Sequence, residues 1–101
     1  MTKADIVDRV AAGTGLTKLE TEAIIEGFFK TVIESLKDGK GIEIRGFGSY
    51  RVKKKNARQA RNPKTGQQVF VPGHYVPTFK FSKEFKEMVN MGMMQKEREV
   101  V

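Results

Sequence analysis

Apolar residues recur at helical spacing twice in the first part of the chain, and the period then changes to two. Thr2 and Asp5 supply an N-cap and an acid for the first turn of a helix. Ile6, Val7 and Val10 follow at helical spacing, and Gly13 and Gly15 end the pattern. Thr17-Lys18-Leu19-Glu20 then has the S/T-x-x-E spacing of a capping box. Behind it Ala23, Ile24, Phe28, Val32 and Leu36 form one stripe, with Ile25, Phe29 and Ile33 beside it. That is a wide apolar surface for so short a chain. Asp38-Gly39-Lys40-Gly41 stops the second helix, so the chain begins as a helical hairpin.

Alternation takes over at Ile42 and Ile44 and continues at Tyr50 and Val52, around Gly46-Phe47-Gly48. Two glycines around an aromatic residue predict a tight turn or a close backbone approach. Residues 51–60 continue extended, and Asn62-Pro63-Lys64-Thr65-Gly66 is a turn signal, after which the chain returns through Gln67-Gln68-Val69-Phe70-Val71. Pro72 and Pro77 keep the return strand out of the middle of a wide sheet, but a two-stranded ribbon consists only of edges and accommodates them. Ser82 caps a short last helix carrying Phe85, Met88 and Val89, and residues 91–101, weakly patterned, are expected to form a frayed helical tail. Its methionines read as a soft helix end rather than an interface. The fold class is therefore α+β.

Charge changes this picture most. The chain of 101 residues has a formal net charge of +7, and its two halves differ. Residues 1–50 hold 7 Lys+Arg against 8 Asp+Glu, and residues 51–101 hold 12 against 4. Seven of those basic residues, and no acid, fall in 51–64: Arg51, Lys53, Lys54, Lys55, Arg58, Arg61 and Lys64. A basic run is often a solvated tail, but this one lies mid-chain between two strand-like segments and contains the turn signal. It points to a polyanionic partner. With no cysteine and one histidine, His74, a disulfide scaffold, a thiolate zinc site and a His-based catalytic site are excluded. No cofactor, metal or catalytic residue is expected. No apolar run is long enough for a membrane helix, and the N-terminus does not read as a signal peptide, so a cytoplasmic location is expected.

Size adds a further constraint. If 53–76 projects as a ribbon, roughly 75 residues remain, close to the ~70–80 below which one core is marginal. Phe28, Phe29, Phe47, Tyr50, Phe79, Phe81 and Phe85 all need burial, which is most economically achieved in a core shared by two chains. An isolated ribbon is marginal in water, so each arm should be mobile until it binds.

Along residues 1–90 the sequence resembles the bacterial HU/IHF family of DNA-bending, nucleoid-associated proteins. The resemblance rests on the opening Thr2-Lys3-Ala4-Asp5-Ile6-Val7 and on Gly46-Phe47-Gly48-Ser49-Tyr50. It also rests on Arg58 with Arg61-Asn62-Pro63-Lys64-Thr65-Gly66, and on Val76-Pro77-Thr78-Phe79-Lys80. It implies an intertwined dimer with a helical base, a β-sheet saddle and two β-ribbon arms that wrap duplex DNA in the minor groove. Pro63 matches the proline that wedges between base pairs, Arg58 and Arg61 match arm positions lining the groove, and Asn62 stands beside the wedge. Lys3 and Lys83 match body positions near flanking DNA, and Lys80 joins the basic set. Phe47 and Phe79 belong by analogy to the dimer core, with Phe28, Phe29 and Tyr50. The implied partners are double-stranded DNA and a second copy, or a paralogue in a heterodimer, with no membrane or small-molecule substrate. The implied location is the nucleoid.

The chemistry of the residues agrees with this reading. Lys and Arg neutralise phosphates on any sequence, Arg suits a narrow minor groove, and proline is a rigid apolar wedge without a backbone donor. The minor groove distinguishes little beyond A·T from G·C, so weak sequence preference is expected. Alternatives are an IHF-like subunit with site preference and an RNA-binding structural protein, against which the wedge argues. A nuclease would need clustered carboxylates, and the basic half has none before Glu84. Gly46-Phe47-Gly48 lacks the third glycine and the following helix of a dinucleotide fingerprint. Lys3 and Glu26 could pair between the helices, at little gain if exposed.

Overall fold

The computed structural model describes residues 1–99. Helix α1 (Lys3–Thr14) starts at Thr2, whose hydroxyl accepts from the Asp5 amide while the Asp5 carboxylate accepts from the Thr2 amide. Helix α2 (Lys18–Lys37) starts in the same way, with Thr17 and Glu20 forming the reciprocal box. Each box satisfies two backbone donors that a helix start would otherwise leave open. Gly13 lies within α1, and the cap is Gly15. The two helices pack through Val7 and Ala11, while Thr21 is buried with its hydroxyl donated to the Thr17 carbonyl at 2.8 Å.

Strands β1 (Ile42–Ile44), β2 (Gly48–Lys55) and β5 (His74–Phe81) make an antiparallel sheet in the order β1-β2-β5. Because β5 is an edge, Pro77, opposite Val52, interrupts no ladder on its outer side. The turn between β1 and β2 closes through the Phe47 amide on the Ile44 carbonyl at 3.0 Å. Gly48 is buried, and a Cβ there would run into the Phe79 ring and the Lys80 carbonyl oxygen. The glycine thus lets β2 approach β5 closely under the aromatic cluster.

That cluster joins Phe47 to Phe79 and Phe85 at ring separations of 5.6 and 5.2 Å, and Phe79 to Tyr50 at 4.7 Å. Beyond it, β3 (Arg58–Arg61) and β4 (Gln68–Val71) form a separate two-stranded ribbon. The expected arm is therefore in two pieces. Pairing of β2 with β5 ends at Lys55 and His74, resumes at Arg58 and Val71, and leaves Asn56-Ala57 opposite Pro72-Gly73 outside both ladders. Proline has no amide to donate, so the ladder breaks where Pro72 stands.

Helix α3 (Lys83–Glu99) differs from expectation. Ser82 caps it, accepting from the Phe85 amide at 3.1 Å, but the helix is not short: it runs for 17 residues and takes in 91–99 of the expected helical tail. Its run of Lys, Glu, Met and Gln has high intrinsic helix propensity, which outweighs the weak apolar periodicity. The last two positions of the expected tail, 100–101, lie outside the described residues.

One protomer encloses little. Among the described residues only Val7, Ala11, Thr21 and Gly48 are buried. Phe28 and Phe29 are 45% and 43% exposed, and Phe47 is exposed too. The Cα radius of gyration is 19.5 Å, against about 13 Å for a compact chain of this length. An apolar groove of about 600 Å³ opens between the end of α2 and the base of the arm, lined in part by Ile33, Leu36, Val52, Tyr75 and Pro77.

Candidate nucleic-acid interface

The strand register sorts the basic residues by face, because residues opposite one another across a ladder share a face of the sheet. Ser49 pairs with Lys80, Arg51 with Thr78, Lys53 with Val76 and Lys55 with His74. These form one face, carrying Arg51, Lys53, Lys55 and Lys80. In the same register Glu43 of β1 lies opposite Ser49, so the single carboxylate of that row stands at the sheet's far edge. The other face carries Tyr50 against Phe79, Val52 against Pro77 and Lys54 against Tyr75. Lys54 is thus separated from its two neighbours and placed on the aromatic side. The sheet is amphipathic, with one cationic surface and one surface that packs.

On the arm, Arg58 pairs with Val71, Gln59 with Phe70, Ala60 with Val69 and Arg61 with Gln68. Arg58 and Arg61, three residues apart, fall on opposite faces of the ribbon, so a single flat surface cannot meet both. Both are exposed, as is Lys64. The tip is a closed turn. The Asn62 amide donates to the Gln67 carbonyl and the Gly66 amide to the Asn62 carbonyl, both at 2.8 Å. The Asn62 side-chain oxygen accepts from the Lys64 amide at 2.9 Å, and Gly66 takes the left-handed φ of 73° that lets the chain turn back. Pro63 sits exposed at the first position inside this turn. Asn62, named among the candidate contact residues, is half-buried and holds the turn with both its side chain and its backbone.

The body positions differ from the arm. Lys3 is exposed but bound to Glu26 at 2.9 Å, between α1 and α2. That hydrogen bond and charge raise the Lys3 pKa and hold the Glu26 carboxyl below its usual range. Lys3 must leave Glu26, or share itself, to meet a phosphate. Lys83, at the start of α3, is exposed and has no ion-pair partner among the described residues.

The sequence reading passed over one residue. Phe70 is 61% exposed on the arm, opposite Gln59, on the same face as Arg61 and Gln68. Alternation along 67–71 contained the signal, since it places Phe70 on the opposite face from Val69 and Val71.

Over residues 1–90 the chain matches the family model described as bacterial DNA-binding protein. The chain belongs to this family. Its members are DNA-binding architectural proteins, not enzymes. It is 40% identical to integration host factor subunit alpha of Psychrobacter arcticus, across 89% of this chain and 91% of that one. It is 35% identical to DNA-binding protein HU 1 of Bacillus subtilis, across 88% and 97%. Among solved structures it resembles HU in an Anabaena HU–DNA cocrystal structure, with a TM-score of 0.82, 36% identity, and coverage of 88% of this chain and 97% of that one. The helical hairpin, antiparallel sheet and projecting ribbon are the HU fold.

Proposed function

We propose that this chain acts as a homodimer that binds duplex DNA with little sequence preference and bends it, organising DNA in the bacterial nucleoid. The observation that carries this reading is the segregation of charge. Arg51, Lys53, Lys55 and Lys80 share one sheet face, and the exposed Arg58 and Arg61, on the two faces of the ribbon, and Lys64 carry positive charge out along an arm ending in Pro63. Two such protomers related by a two-fold axis would cover their exposed aromatic faces and carry two arms. Counterion release then drives association with any duplex. The arms lie in the minor groove, and each Pro63 enters an unstacked base step.

A wedge of this kind kinks DNA by about 20–90°, at an unstacking cost of a few kcal/mol per step that the additional wrapped contacts offset. Pro63→Ala separates wedging from charge, since it removes no cation. Energy transfer between dyes on the two DNA ends reads the bend. In the variant, intact duplex should straighten and bind more weakly, while nicked duplex, already partly unstacked, should bind almost as it does to the parent. An unchanged bend on intact duplex would leave Pro63 as a turn residue only.

The identity to the beta subunits of integration host factor, 43% for that of Marinobacter nauticus, supports a second reading, a subunit with real site preference. Competition between random and A·T-rich duplexes distinguishes the two readings.

A further inference from the structure

We propose that the turns of α3 beyond Asn90 form a clasp on a second copy of this chain. The inference rests on the homodimer reading and adds to it, because the family match ends at residue 90 while the helix continues to Glu99. Phe85, Val89 and Met93 stand at i, i+4 and i+8 along α3, with Met88 and Gly92 beside them, and so form one continuous apolar stripe. The stripe begins in the aromatic cluster, where Phe85 lies 5.2 Å from Phe47 and 4.6 Å from Phe81. It then leaves the protomer: Val89 and Met93 are 53% and 56% exposed, and no residue of α3 is buried.

Charge identifies the occupant. Residues 91–99 carry two basic and two acidic side chains, so the turns beyond Asn90 are neutral in a chain of net charge +7 and do not extend the DNA-binding surface. An apolar stripe on a neutral helix suits a protein surface. It also runs out of the cluster that the homodimer reading places at the two-fold interface. The same protomer has an unfilled apolar groove beside Ile33 and Leu36. A helix and a groove that do not meet within one chain can each be filled by the partner's counterpart across a two-fold axis. Methionine side chains, flexible and polarisable, adapt to such a surface.

The test uses the full chain, a chain ending at Asn90, and a full-length Met93→Lys variant. Dimer dissociation is followed by sedimentation at decreasing concentration. The shortened chain should still dimerise and bind DNA, with a dimer dissociation constant raised at least about tenfold, since two clasps each bury methionine surface. The lysine variant should reproduce this if the shortened chain folds poorly. The chain has no cysteine, so Met93→Cys carries a single spin label, which should be immobilised at high protein concentration and released on dilution. An unchanged dissociation constant with a mobile label overturns the clasp, as does loss of DNA affinity without loss of dimer, or the disappearance of higher oligomers on truncation. A folded monomer of the full chain at all concentrations would instead overturn the homodimer reading.

Discussion

Lys53 and Lys54 are neighbours of the same type and both exposed, and the register places them on opposite faces of the sheet. Replacing either by alanine removes one charge per protomer, so overall electrostatics treats the two alike. The fold does not. Lys53 stands with Arg51, Lys55 and Lys80 on the cationic face, and Lys54 stands opposite Tyr75 on the aromatic face. For B-DNA the slope of log K against log salt is about −0.9 per phosphate neutralised. The cationic face and arm supply seven candidate side chains per protomer, and six to ten contacts in the dimer would weaken binding by about 10³–10⁵ between 50 and 200 mM salt. Lys53→Ala removes two contacts from a dimer and should make the slope shallower by about 1.8. Its affinity should therefore fall about tenfold less than the parent's over that salt range. Lys54→Ala should leave the slope essentially unchanged. Titration of a labelled duplex by anisotropy at four salt concentrations measures both. Equal slope changes in the two variants would refute the assignment of faces, and a flat salt response in the parent would refute the electrostatic basis of binding.

Gly48→Ala should destabilise the protein by about 1–3 kcal/mol or more, seen as a lowered melting temperature, because its Cβ meets the Phe79 ring and the Lys80 carbonyl. Phe47→Ala should cost about 3–5 kcal/mol once a partner covers the ring, and unfolding of the parent should depend on protein concentration. Acid should weaken the helical hairpin. The Asp5 carboxyl is held below its usual range by the Thr2 backbone and side chain, and Glu26 by Lys3. A carboxylate whose folded pKa is lowered stabilises the fold above its unfolded pKa and loses that contribution as pH falls through the folded value. Helical circular dichroism should therefore decline below the ordinary carboxylate range, with a shallower acid limb in Asp5→Asn. High salt should diminish the Glu26 part, since the pair is exposed.

The helical hairpin was legible because its signals are local: the N-cap at Thr2, the capping box at Thr17 and Glu20, and a helix stop at Asp38-Gly39 need only a few consecutive residues. The arm and its tip were legible for the same reason, through Asn62-Pro63 and Gly66. Three features were not. The length of α3 depends on propensity summed over many weakly patterned residues, and the apolar pattern fades after Val89. The break at Asn56-Ala57 depends on what stands across the ladder, and only pairing reveals that Pro72-Gly73 lies opposite. The division of the basic run into faces follows from alternation, but which face meets the core depends on Tyr50 and Val52 packing with Phe79 and Pro77. Charge density alone ranked Lys53, Lys54 and Lys55 together, and register separates them.

The same break and turn divide the arm mechanically. A wedge transmits force to a base step only if its own support is stiffer than the stack it enters. At the tip, Pro63 fixes its own φ, and Asn62 ties the turn together through backbone hydrogen bonds to Gln67 and Gly66 and a side-chain bond to Lys64. Deforming that turn would break several hydrogen bonds at once. At the arm's base the two ladders are joined by Asn56-Ala57 and Pro72-Gly73, beside which the His74 ring Nδ1 lies 3.0 Å from the Pro72 carbonyl. Rotation there costs few bonds. An arm built this way can swing to follow a groove of varying width and path while its tip keeps its shape. On the proposed reading, binding energy gathered along the cationic face and arm would be applied to the DNA at Pro63 rather than dissipated in the ribbon, so that a protein with little need to read bases would still impose a bend.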